Sequence, residues 1–189
     1  MAISEALKKK AKKIWVSIVA PEMFRSREVG ETNVYLPEQV LNKLITMTLS
    51  IITDDPKKQN MNVVLKVTSI RENKAITEMF GYSLVPSYLK RLNRMTKVRI
   101  EQSLQLKTKD GVDIIIKALA LTKFDTKNSV MTAVRAKMKE FLITHVQNNN
   151  YNELMNMVVS LEFQKNMHKE LKLIYPLSYV LVKTIKRVK

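Results

Sequence analysis

The chain has 189 residues, 46% of them hydrophobic, which is enough apolar material to bury a core and too much for wholesale disorder. Its charge is the abnormal quantity: 33 Lys and Arg against 17 Asp and Glu leave a formal net charge of +16 at pH 7. The absence of cysteine excludes disulfides, thiolate nucleophiles and sulfur-ligated zinc, and the presence of only two histidines excludes an all-histidine metal site.

Self-repulsion at +16 disfavours a lone compact chain, so a polyanionic partner is expected, nucleic acid first and an anionic membrane surface second. Residues 1–13 read as a basic arm carrying Lys8, Lys9, Lys10, Lys12 and Lys13, ahead of a single domain over 14–189. The apolar run Ile14 to Ala20 behind that arm superficially imitates a signal peptide. Ser17 interrupts it, Pro21 ends it, and Trp15, Val16, Ile18 and Val19 have strand-forming chemistry. No run approaches the ~18 apolar residues of a membrane helix, so a cytoplasmic protein without a membrane partner is expected.

A strand is predicted within Lys43 to Ile52, where Ile45, Met47, Leu49 and Ile51 alternate with hydroxyl residues. Two-residue alternation over Met61 to Thr68, the turn Arg71-Glu72-Asn73-Lys74 and the run Ala75 to Tyr82 predict a hairpin. A short helix is expected over Pro86 to Met95. The clearest local pattern is Arg99 to Leu106, then Thr108-Lys109-Asp110-Gly111, then Val112 to Ile116, in which Asp-Gly suits the positive dihedrals of a tight hairpin turn. Three- and four-residue apolar spacing predicts a helix over Ser129 to Val146 and a second over Tyr151 to Ile174. Asn150 and Glu153 form a capping box for the second helix, and Pro176 stops it. A last strand is predicted within Ser178 to Lys186. Strands, then helices, then a closing strand indicate an α+β fold, and antiparallel hairpins in this number suggest a β-barrel-like core with two long helices in the C-terminal half.

Gly30, Gly81 and Gly111 stand too far apart to build a phosphate-cradling loop. Asp54-Asp55, with Asp110, Asp113 and Asp125 scattered around it, is the material a metal-dependent nuclease would need, but Asp54-Asp55-Pro56 reads as an ordinary turn, Asp110 as part of a turn and Asp113 as a hairpin flank. His145 and His168 read as packed or surface histidines, and Met155, Met157 and Met167 as core filler. No cofactor, metal, small-molecule substrate or catalytic residue is therefore expected. The alternative is a free-standing basic nucleic-acid-binding protein or nuclease.

What exceeds a merely solvated face is the set of basic runs: the arm, then Lys90, Arg91, Arg94, Lys97 and Arg99, then Lys183, Lys186, Arg187 and Lys189. Phosphate neutralisation by such runs is sequence-independent and salt-sensitive. Aromatic residues are 6% of the chain, so base stacking is a minor expectation in which Trp15, Tyr82 and Tyr88 could share. The candidate RNA-binding residues are Lys8, Lys9, Lys10, Lys12, Lys13, Lys90, Arg91, Arg94, Lys97, Arg99, Lys109, Arg135, Lys186 and Arg187.

A resemblance sharpens this. The segment Trp15 to Glu22 with Phe24, followed by Gly30-Glu31-Thr32, resembles the opening of the S3Ae family of archaeal and eukaryotic small-subunit ribosomal proteins. The likeness continues in order through Thr53-Asp54-Asp55 with Lys58-Gln59, Gly81 with Leu84, Tyr88-Leu89-Lys90, Arg99-Ile100, Thr108 to Gly111, Arg135 with Met138 and Glu140, and Ile174-Tyr175-Pro176-Leu177. It implies a β-barrel-like core with flanking helices, seated on the platform of the small subunit near the messenger exit, in contact with small-subunit ribosomal RNA and neighbouring platform proteins. The length resembles that of archaeal members. Asn42-Lys43, Thr46 and Ile51 depart from the family pattern, and its arginine run is thinned to Arg94, Lys97 and Arg99. Lysine keeps the charge of arginine but loses the planar fork that holds phosphate at two points.

Overall fold

The computed structural model describes residues 12–96 and 98–188. Lys8, Lys9, Lys10, Lys97 and Lys189 lie outside the described residues. Among the described residues the chain has eight strands and five α-helices, so the α+β class read from the sequence holds. Two compact units emerge. One takes the described residues up to Gln59 with Val63–Phe80, the other Asn60–Asn62 with Gly81 onward.

The first unit holds β1 (Ile14–Val19), β2 (Glu28–Val34), β3 (Leu44–Thr48), α1 (Leu49–Thr53) and most of β4 (Met61–Arg71) and β5 (Lys74–Leu84). Its strands pair in the order β2–β1–β5–β4–β3, with β1 antiparallel to β2 and parallel to β5. Alternation in β4 sends Val63, Leu65 and Val67 inward, while Glu72 and Asn73 take left-handed dihedrals at the turn into β5, as a two-residue hairpin requires. Val16, Val40, Val67 and Ala75 form an apolar cluster that Val34, Ile45 and Ile70 flank.

The strand expected over Lys43 to Ile52 stops at Thr48. There the chain turns into α1, and a three-residue step in place of alternation puts Leu49 and Ile52 inside. The Thr53 hydroxyl donates to the Leu49 carbonyl at 2.8 Å, and Asp54 ends the helix in the left-handed region.

The second unit holds the end of β5, α2 (Pro86–Met95), β6 (Arg99–Lys107), β7 (Asp113–Thr122), α3 (Asn128–Asn148), α4 (Tyr151–Val159), α5 (Glu162–Lys172) and β8 (Leu177–Arg187). Strands pair antiparallel in the order β5–β8–β7–β6. Helix α3 lies along β6 and α5 along β8. Val134, Met138, Phe141, Leu142, Leu154, Val158, Phe163 and Met167 fill the space between helices and strands, and a fully buried Leu or Phe of this kind contributes about 1.5–3 kcal/mol.

Two expectations change here. The strand order in each unit ends in free edges, β2 and β3 in the first and β6 in the second, so the sheet is open where a barrel-like closure was predicted. Helices cover the strands of the second unit in place of further strands. The long helix predicted over Tyr151 to Ile174 is two helices, broken at Ser160-Leu161, with Leu161 held at φ 66°. The break is stabilised by buried Gln164, whose side-chain amide donates to the Val158 carbonyl at 3.1 Å.

Candidate nucleic-acid interface

The surplus of positive charge is not evenly spread. The second unit's sequence carries twenty Lys and Arg against eight Asp and Glu, which accounts for twelve of the sixteen net charges.

Helix α2 is the most one-sided element. Pro86 opens it with a preset dihedral, Leu89 and Leu92 are buried, and Lys90, Arg91 and Arg94 are exposed on a helix that contains no carboxylate. Lys90–Arg94 and Arg91–Arg94 are neighbours at four- and three-residue spacing. In isolation such like-charge pairs destabilise a helix by about 0.2–0.5 kcal/mol each. A polyanion would turn that repulsion into attraction. Arg91 also places its guanidinium 5.4 Å from the centre of the Tyr88 ring, which pre-sets the fork.

Arg99, expected in the same cluster, is partly spent. Glu101 accepts from its guanidinium and from Lys183 at 3.2 Å. Burial alone would raise the Glu101 carboxyl, but the hydrogen bonds and charges of Arg99 and Lys183 outweigh it and hold it below the usual carboxylate range. This carboxylate therefore offsets one of the two positive charges it pairs with; the two-residue step along a strand puts Glu101 on the face of Arg99, whereas no one-dimensional spacing signals Lys183.

The remaining candidates separate in space. Lys109 sits in the hairpin turn at the far end of β6 from Arg99, a separation of roughly 26 Å along nine strand residues. Lys186 and Arg187 pair with Ile115 and Ile114, at that same turn end. Lys186 is exposed, and Arg187 lies over the Tyr151 ring at 5.8 Å from its centre. Arg135 is exposed in the first half of α3. Lys12 and Lys13 are exposed in the first unit. The second unit thus presents two basic groups, one on α2 and one at the hairpin turn.

The candidate aromatics divide sharply. Tyr82 is 1% exposed, and burial pushes its hydroxyl pKa well up, so it is a core residue and not a stacking surface. Trp15 stands 60% exposed on β1.

The carboxylates and histidines singled out above have local partners. Asp55 accepts from the Lys57 backbone N–H at 3.0 Å, Asp54 pairs with Arg27, and Asp113 lies 3.9 Å from Lys107. Among the described residues no three His, Asp or Glu side chains are grouped so as to hold a metal ion. His145 packs against Phe141 and Phe163, with ring centres 4.0 and 6.0 Å away, and His168 Nε2 lies 3.3 Å from the Leu177 carbonyl oxygen. Met155 and Met167 are fully buried. Among the described residues no helix is long and apolar enough to cross a membrane.

The second unit's sequence is thus rich in cations and poor in carboxylates, and Asp54, Asp55, Glu101 and Asp113 serve turns and ion pairs. Residues 4–189 match the model of the Ribosomal S3Ae family, and the chain belongs to that family, as a ribosomal protein and not an enzyme. It is similar to the small ribosomal subunit protein eS1 of Halorubrum lacusprofundi, with 31% identity over 173 residues that cover 92% of this chain and 80% of that protein. The eS1 of Methanopyrus kandleri is 28% identical over 85% of this chain and 76% of its own length. That of Sulfurisphaera tokodaii is 28% identical over 100% of this chain and 98% of its own length.

Proposed function

We propose that this chain is a structural constituent of the small ribosomal subunit that binds small-subunit ribosomal RNA, seated on the platform near the messenger exit beside other platform proteins, in the cytoplasm. Family membership and the relatives' names support the subunit. The observation that carries RNA contact is α2, an acid-free helix that anchors itself with Leu89 and Leu92 and turns Lys90, Arg91 and Arg94 outward. The RNA grip is a backbone grip. Each phosphate engaged by Lys or Arg releases condensed counterions, so affinity is high at low salt and falls steeply as salt rises. Folded RNA, recognised by shape and phosphate position, suits two separated basic groups better than a single reading groove. Side chains here position and neutralise; none makes or breaks a covalent bond.

The test is binding of the purified chain to small-subunit ribosomal RNA across a salt series. A steep negative slope of log affinity against log salt is expected, and binding that is weak and flat in salt would overturn the reading.

A further inference from the structure

We propose that Trp15 is a stacking platform for an unpaired RNA base, with Lys12 and Lys13 holding the adjoining phosphate; this rests on the RNA-binding reading above and adds a site to it. Val16 and Ile18 of β1 point into the first unit's core, so alternation puts Trp15 on the opposite face, where it is 60% exposed. An isolated exposed apolar residue is ordinary, but the company of this one is not. The β1–β2 register sets Asn33 directly across from Trp15, and continues the same face through Ser17 opposite Glu31. Just beyond the other end, the Lys13 ammonium lies 5.4 Å from the centre of the Tyr35 ring.

The ring is therefore flanked by a cation–aromatic pair on one side, a carboxylate on the other and an amide opposite. A protein segment that buried Trp15 would want apolar neighbours, and this face offers Lys13, Ser17, Glu31 and Asn33, with one aromatic, Tyr35, that the Lys13 ammonium already faces. A nucleobase suits the arrangement. Its π-face stacks on indole, its polar edge finds the Asn33 amide, which makes no side-chain hydrogen bond among the described residues, and its phosphate is drawn toward Lys12 and Lys13 and away from Glu31.

Trp15 is the sole tryptophan, so its emission reports on this position alone. The full chain would be titrated with a single-stranded RNA of about twelve nucleotides and with a duplex of the same length, following both emission and the anisotropy of labelled RNA. Quenching by the single strand, saturating together with anisotropy, and binding of the duplex without quenching are expected. Trp15→Ala should weaken single-strand binding roughly five- to a hundred-fold while leaving duplex binding and the circular dichroism spectrum unchanged, with Trp15→Phe in between. Single-strand binding without quenching, and equal in Trp15→Ala, would overturn the proposal while leaving the RNA-binding reading intact. A blue shift with phosphatidylserine vesicles and none with RNA would overturn it too. Failure of both RNAs to bind would sink both readings.

Discussion

Asp110 Oδ2 accepts a hydrogen bond at 3.0 Å from the backbone N–H of Tyr151, forty-one residues further on. Beside it the Lys109 N–H donates to the Asn149 carbonyl at 3.2 Å. The β6–β7 turn is thereby pinned to the junction of α3 and α4, where Asp110 serves the first turn of α4 alongside the Asn150–Glu153 capping box. The same contact fixes where Lys109 sits relative to Lys186 and Arg187.

Asp110→Ala should lower unfolding free energy by about 1 kcal/mol, because it strips a helix N-terminal N–H of its acceptor and removes a charge that favours the helix dipole. Asp110→Asn should recover part of the loss. Gly111→Ala should cost a further amount of about 1 kcal/mol, since Gly111 holds φ +74°. Urea denaturation of the three variants measures these losses; an Asp110→Ala midpoint equal to the parent's would show that the bond contributes nothing.

Replacing Lys90, Arg91 and Arg94 together by Ala should weaken RNA binding at low salt and reduce the slope of log affinity against log salt by about 2 to 3, the counterion contribution of three phosphate contacts. Folding should be unaffected, as Leu89 and Leu92 keep the buried face. An unchanged slope would show that α2 faces away from the RNA.

Glu101→Gln should tighten RNA binding, because it releases Arg99 and Lys183 and removes one negative charge. Its cost to stability at neutral pH should stay below about 1 kcal/mol, since all three side chains are about a third or more exposed to screening solvent. A carboxyl whose folded pKa is depressed gives a contribution that is full above its unfolded value and lost as pH falls through the folded one. The stability gap between parent and Glu101→Gln should therefore be full at neutral pH and narrow as pH falls below the ordinary glutamate range. A gap that widens toward acid would reverse the assignment.

Much of this architecture was legible because its elements obey one periodicity each. Helices α2 and α3 and strand β8 emerge close to their predicted bounds, and the Asp110-Gly111 hairpin forms where it was expected, although its second strand runs on six residues past Ile116 to Thr122. What escaped has identifiable causes. Strand β2, Glu28–Val34, is an edge strand whose exposed Glu28, Gly30, Glu31 and Asn33 leave no apolar alternation to read. The step from β3 into α1 is tertiary: Leu49 and Ile52 satisfy both a strand and a helix pattern, and burial decides. The break before α5 carries no Gly or Pro; Leu161 adopts a left-handed dihedral at a cost of roughly 1–2 kcal/mol, held by the packing around it. For the site, clusters of cations are visible in one dimension, while the partners that quench some of them are not. Glu101 is two residues from Arg99 but reaches Lys183 only across the folded sheet.

Gradient sedimentation of a cell lysate at moderate salt, with detection of this chain, reads whether these cations sit against ribosomal RNA. Migration with small ribosomal subunits, lost at high salt, is the predicted result. Recovery solely in the light fractions at every salt concentration would contradict it.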